Sequence, residues 1–412
     1  MDTDTLKIKD EELFQCLRDE TARQKDTLEM VASESIQPRE ALLLAGSSFN
    51  NKTSTGNVGR QRLLGSQNAD RIERMAAERA CRVFGADYAN MLTYSGTVAN
   101  FCAYNAVLNF GDPVLALSHS VGAHQSHGGE NNISSRLYNF RYFGLDCETL
   151  DIDYKTAERI ASGIAPKLIV VGSAAYPRNI DYKRMAEIAH KSGALLMVDI
   201  AHYSGLIAAG VSPNPFPYAD IVTASTTKTM CGPHSGFVMC KKEYASRIEN
   251  SVYPGYVASP HLQTIAAMAY ALKRSQTEEF RDLMRRVVAN AKHLCQALTD
   301  RGFSVFTGGT DCHMLLLDVS PFNTDGVQFS ERLEKAGISA NSKSIPFEKS
   351  SIPKGVRLGT VVLTQRGMGE SEMDRVADIF LLLAREGSGD AELLQARSEV
   401  KKLAETFRYI EP

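Results

Sequence analysis

The sequence predicts an α/β protein with a large, mostly parallel sheet and a smaller α+β C-terminal domain. Three observations predict it. Short β-branched runs alternate with helical stretches through the middle of the 412-residue chain, the pattern of strands joined by crossover helices. After about Thr277 the texture changes, and a long amphipathic stretch leads into a second set of short apolar runs. A composition of 43% hydrophobic and 23% charged residues is ordinary globular content, enough for more than one core.

Taken in order, residues 1–40 read as an N-terminal arm, helical in part. Its start, "MDTDTLKIKDEELF", is polar and lacks the basic opening and apolar centre of a signal peptide. Residues 41–277 read as the large domain and 278–412 as the small one. Strands are expected at Pro113–Ser118, Lys167–Tyr176, Ala194–Gly205 and Asp220–Lys228, where apolar and β-branched residues cluster. Between them "YKRMAEIAHKSG" (Tyr182–Gly193) spaces apolar residues as a helix does and stops on glycine. The C-terminal domain opens on "EEFRDLMRRVVANAKHLCQALTDRG", an amphipathic helix, followed by strand-like "FSVFTGG", "HMLLLDVS" and "GVRLGT".

Several function classes are disfavoured by composition. The net charge is -2, the pI is near 6.5, and no Lys/Arg stripe suits a nucleic-acid partner. No apolar run is long enough to span a membrane. The eight cysteines are scattered without a C-x-x-C pair. They read as reduced thiols of a cytoplasmic protein, and their spacing suggests no metal site.

The chemistry gathers where strands are expected to end, which is where α/β sheets bind ligands. Asp199 closes the apolar run "ALLMV". A carboxylate there is costly unless it meets a cation or several donors; a helix cap or turn is the other reading. His202 follows in "DIAH", where a structural histidine is the commoner case. Lys228 ends the next run, among threonines and before Gly-Pro. It is a solvated strand cap or, if desolvated, an amine with lowered pKa able to form a Schiff base. An acid for a pyridinium nitrogen and an amine for an aldehyde are what pyridoxal phosphate requires.

Ser95, Gly96 and Thr97 precede a helical stretch, so hydroxyls and backbone N–H groups meet the positive end of a helix and suit a phosphate. The same triplet also serves as a plain cap. His124 and His127 in "HSVGAHQSHGG" offer a ring to stack on a cofactor, a metal pair, or a simple loop. Arg357 in "GVRLGT" suits bidentate capture of a carboxylate, or is a surface arginine.

Together these stretches resemble serine hydroxymethyltransferase, a fold type I pyridoxal-phosphate family of the aspartate-aminotransferase-like kind. The likeness runs from "VASES" (Val31–Ser35) to "RLGTVVLTQRGM" (Arg357–Met368). Its most telling pieces are "FGADYANMLTYSGTVAN", "VDIAHYSGLIAAGVSPNP", "TTKT" followed by "GP", and "GGTDCHMLLLD". The resemblance implies that Lys228 carries the cofactor covalently, Asp199 pairs with its ring nitrogen and His124 stacks on the ring. It implies His202 near the phenolic oxygen, and Ser95, Gly96, Thr97 and Thr226 among the cofactor contacts. Ser33 and Arg357 are implied for the amino-acid carboxylate. It also implies a homodimer with shared active sites, or a pair of such dimers.

The chain departs from the family pattern at specific places. Where the family has a segment close to K-Y-A-E-G-Y-P-G-K-R-Y-Y-G-G, this chain has "KTSTGNVGRQRLLG" (Lys52–Gly65). Thr55 stands for the family's active-site glutamate, Thr53 for a tyrosine, and Arg62 with Leu63 for a tyrosine pair. Thr227 replaces a histidine and His234 an arginine. "GYVASP" (Gly255–Pro260) stands for a glycine-rich phosphate loop. A threonine hydroxyl does not titrate in the range where a carboxylate acts as acid or base.

The expectation is therefore a pyridoxal-phosphate enzyme working at Cα and Cβ of an amino acid without the folate and glutamate machinery. β-Elimination from a cysteine S-conjugate, or its decarboxylating oxidative deamination, fits a hydroxymethyltransferase-like group in lincosamide-type antibiotic assembly. A threonine transaldolase or aldolase, and a true serine/glycine hydroxymethyltransferase, are the alternatives. A cofactor-binding scaffold or regulator is the non-enzyme reading, against which Lys228, Asp199 and Arg357 together argue.

Overall fold

The computed structural model describes residues 4–385 and 389–409. The outermost residues of the expected arm and C-terminal domain (1–3 and 410–412), and 386–388, lie outside this range. Among the described residues the strands are β1 (Leu28–Glu29), β2 (Tyr88–Asn90), β3 (Pro113–Leu117), β4 (Asn139–Phe143), β5 (Leu168–Val171), β6 (Leu195–Asp199) and β7 (Ile221–Ser225). β8 (Gly236–Cys240), β9 (Ser304–Val305), β10 (Met314–Asp318), β11 (Ile338–Ser339), β12 (Asn341–Lys343) and β13 (Gly355–Gly359) complete them.

Seven strands form the main sheet in the order β2-β8-β7-β6-β5-β3-β4. The pairs from β7 through β6, β5 and β3 to β4 are parallel, while β8 runs antiparallel to both β7 and β2. The central strands read "LIVV", "LLMVD" and "IVTAS" and are buried almost throughout, as strands covered by helices on both faces must be. Register places Asp199 of β6 opposite Thr223 of β7, so the carboxyl ends of these two strands share one rim.

The second sheet, β12-β13-β10-β9, is antiparallel and has its own core, built on Leu315, Leu317, Val356 and Leu358 with helices behind it. The helix Glu278–Asp300 joins the two cores. Phe280, Met284 and Val287 pack in the first, and Leu294 and Leu298 in the second. The N-terminal segment is drawn into the C-terminal layer. β1 pairs in parallel with β11, and Leu28 and Met30 are fully buried in the second core.

Candidate active site

β7 ends at Ser225, and the chain turns back into β8 at Gly236. Lys228 stands within this turn, three residues beyond the strand expected to reach it, with φ of 52°. A left-handed lysine costs about 1 kcal/mol and has to be held there. The hydroxyl cluster holds it. Thr226 Oγ1 donates to the Pro233 carbonyl at 2.6 Å, and Thr229 Oγ1 donates to the His202 carbonyl at 2.9 Å. Ser225 and Thr227 hydroxyls bond each other at 2.8 Å. The Gly205 N–H donates to Thr229 Oγ1 at 3.0 Å, so close that a Cβ on Gly205 would stand 2.0 Å from the Thr229 carbonyl oxygen. Burial pushes the Lys228 amine below its ordinary pKa against the attraction of Asp199, and no ion pair or hydrogen bond reaches it among the described residues.

Asp199 is buried at the end of β6. Its Oδ1 accepts from the Ala201 N–H at 2.9 Å, and its Oδ2 accepts from Asn100 Nδ2 at 2.9 Å and His127 Nε2 at 3.1 Å. Burial alone would raise this carboxyl. The bonds from His127 and Asn100 outweigh it and hold the group below the usual carboxylate range. Tyr104, fully buried with its phenol pushed far up, keeps its proton and donates to His127 Nδ1 at 2.7 Å. The acid is thus fixed, ionised and oriented.

The helix Gly96–Val107 starts beside this acid. Ser95 caps it by accepting from the Val98 N–H at 3.2 Å, which leaves the first-turn amides of Gly96 and Thr97 facing the cavity rim with no acid in that turn. Gly236 lets this cap lie against β8, because a Cβ there would meet the Ser95 carbonyl group at 2.4 Å. His124 is exposed on one side, and desolvation on the other pushes its pKa below the ordinary value. Its Nδ1 accepts from the Ser126 N–H at 3.2 Å and bonds the Ser126 hydroxyl at 2.7 Å, so the proton sits on Nε2. Ser126 in turn accepts from Asn100 at 2.8 Å.

Of these groups Ser95, Gly96, Thr97, Asn100, His124, Asp199 and Lys228 line a cavity of about 350 Å³, together with Ser33, Glu34, Tyr94, Ala174, His202, Thr227 and His234. Thr226 is fully buried in the turn and does not line it. Arg357 comes from β13 of the second sheet and reaches the wall through Ala174. Its Nη1 donates to the Ala174 carbonyl at 2.6 Å and its Nη2 to Asn341 Oδ1 at 3.2 Å. His202 is buried and pushed well below its ordinary value by burial, with Lys228 and Arg357 adding to the effect. It stacks on His313, whose Nε2 lies 3.1 Å from the Ala32 carbonyl and whose pKa burial pushes down to about 3.

The remodelled positions divide. Thr227 and His234 are on the cavity wall, whereas Thr53, Thr55 and Leu63 lie in a loop away from it. That loop is closed by the Arg62 N–H to the Thr55 carbonyl at 2.7 Å and pinned by Arg60 to Glu249 at 2.7 Å. Sequence reasoning missed Asn100, Glu34 and the role of His127. The available signal was an amide at a buried position of the largely apolar helix "GTVANFCAYNAV", where asparagine is a poor helix former. Glu34 stands beside Glu29. Partial burial and that second carboxylate push its carboxyl up to about 7.

A family model described as serine hydroxymethyltransferase matches residues 6–380, nearly the whole chain. Proteins of this family act on amino acids and are generally oligomeric. With the seven-stranded sheet, the buried acid and the desolvated lysine on one rim, the match leads to one conclusion: this chain belongs to the serine hydroxymethyltransferase family, fold type I enzymes that hold pyridoxal phosphate covalently on a lysine.

Proposed function

We propose that the chain is a pyridoxal-phosphate lyase that breaks the Cβ–sulfur bond of a cysteine S-conjugate by β-elimination, in the manner of lincosamide-type antibiotic assembly. One observation carries the choice of reaction. The loop at 52–65, "KTSTGNVGRQRLLG", contains no carboxylate, so neither its own site nor a neighbouring copy's receives an acid from it. Hydroxymethyl transfer needs a titrating group for the hydroxyl proton, and losing one typically costs about 10²–10⁴ in rate. Elimination asks only for a base at Cα and a departing thiolate.

The residues present fit the cofactor. Lys228 Nζ is desolvated and without a bonded partner among the described residues, which suits a covalent bond to an aldehyde. Asp199 is held ionised for a ring nitrogen, and the amides of Gly96 and Thr97 with the Ser95 hydroxyl suit a phosphate. When bound, pyridoxal phosphate supplies the electron sink that makes a bond at Cα labile. Arg357 and Ser33 hold the substrate carboxylate. Lys228 Nζ takes the proton from Cα, and the Cβ–S bond breaks with its electron pair leaving on sulfur. The departing thiolate takes up a proton to become the thiol, and water hydrolyses the released 2-aminoacrylate to pyruvate and ammonium. His124 presents its Nε2–H to the cavity, and the neutral His202 keeps a second cation away from Lys228.

One observation favours hydroxymethyl transfer as the second reading: Glu34, with its carboxyl raised to about 7, lines the same cavity and titrates in a useful range. We read the working form as a homodimer. Buried polar atoms without partners cluster in Ser54, Asn57 and Gln61, and Leu64 beside them is 96% exposed, which supports coverage by a second copy. Product analysis of the purified holoprotein tests the reading. Pyruvate plus a free thiol from a cysteine S-conjugate is expected. Carbon dioxide with oxygen uptake means the decarboxylating route, acetaldehyde from threonine means aldol chemistry, and folate-dependent glycine from serine restores hydroxymethyl transfer.

A further inference from the structure

We infer that Lys343 forms, beside Arg357, a second anion subsite, so that the substrate is an amino acid whose side chain carries its own negative charge. The inference rests on the reading of the Lys228 cavity as an amino-acid site.

β12 and β13 pair antiparallel, with Asn341 opposite Arg357 and Lys343 opposite Gly355. Directly opposed residues share a face, as do residues two apart along a strand. Asn341, Lys343 and Arg357 therefore project from one face, the face that meets Ala174 on the cavity wall. Lys343 is the diagonal neighbour of Arg357, a separation of about 7–8 Å. Gly355 puts no side chain opposite the lysine.

The charges there are not balanced by the protein. Among the described residues Arg357 donates only to neutral oxygens, on Ala174 and Asn341, and its buried Nε has no partner. The Lys343 amine has no ion pair or hydrogen bond among the described residues. Burial and the Arg357 charge push its amine below the ordinary value, and its charge is also felt at His119. Two desolvated cations side by side are costly unless anions complete them. An amino acid's own carboxylate occupies the planar fork of Arg357 bidentately. The compact ammonium of Lys343 then remains for a second anion farther along the substrate.

The test uses the holoenzyme and isothermal titration with L-2-aminoadipate and L-homoglutamine. The two match in length, differ in one charge, and lack a leaving group at Cβ. Aminoadipate is expected to bind roughly 10-fold tighter or more, the size of a charge-assisted bond. Lys343→Gln should bring the two within about twofold while leaving homoglutamine unchanged. Equal affinities in the wild type, absence of aminoadipate binding, or a preference that survives Lys343→Gln would each overturn the inference. So would equal weakening of both ligands in the variant, which means one carboxylate shared by both cations. Pyruvate release from S-carboxymethyl-L-cysteine is scored separately. An acid preference without pyruvate keeps the subsite and rejects the elimination reading, and pyruvate without the preference does the reverse.

Discussion

Replacing Asn100 by alanine measures how much one amide contributes to keeping the acid in place. Its Nδ2 gives bonds of 2.9 Å to Asp199 Oδ2 and 2.8 Å to Ser126 Oγ, and its Oδ1 accepts one of 2.6 Å from Thr223 Oγ1. The bond to the ionised carboxylate is worth about 1.5–3 kcal/mol and each neutral one about 0.5–1.5 kcal/mol. The sum is about 4 kcal/mol, because all the partners are buried. Urea denaturation of the apoprotein at fixed protein concentration reads this directly, with an unchanged slope expected. Asn105 on the same helix donates to Ser251 in a partly buried setting, and Asn105→Ala should cost about 1 kcal/mol or less. A loss of under about 1 kcal/mol for Asn100→Ala would falsify the network argument.

Gly205→Ala drives a methyl into the Thr229 carbonyl. It should cost about 3 kcal/mol and displace the lysine turn, seen as lost visible absorbance of the holoprotein; a normal spectrum would contradict the tight approach. Lys228→Ala removes the covalent anchor and should abolish that absorbance. The apoprotein should melt higher, since a desolvated cation is gone, and a lower melting temperature would argue that the lysine has a hidden partner. Asp220 accepts from Lys241 at 2.6 Å and lies 2.9 Å from His190 Nε2. Burial would raise its carboxyl, but these bonds hold it below the ordinary value, so the unfolded chain binds its proton first. Its stabilisation is present above about pH 4 and fades as the pH falls through the folded value. The gap between wild type and Asp220→Asn in denaturant midpoint should narrow from pH 7 to pH 3; a constant gap would exclude the linkage.

The central strands were legible because each is buried on both faces, which writes an unbroken β-branched run into the chain. Their ends were not. "ALLMVDIAHYSG" stays apolar past Asp199 because Ile200 and Tyr203 are buried in a turn that leads into the helix Ser204–Ala208. Apolarity records burial and is silent on where extension stops. Lys228, Asp199 and Ser95 were readable because their residue types are unusual at strand and helix ends. Asn100 and His127 were not, since their roles depend on partners distant in sequence, Asp199 being 99 and 72 positions away. β1, β11 and β12 span two or three residues and carry no period to detect.

The threonine turn around Lys228 has an evolutionary consequence. Thr226 and Thr229 fix the lysine through backbone carbonyls of Pro233 and His202, inside the protein and away from the substrate. Thr226 and Thr229 thereby stay off the cavity wall, whereas a second set, Thr227 and His234, stands on it. Selection is free to rewrite the second set while the first stands still, so a lineage can change its chemistry without first surviving the loss of its cofactor.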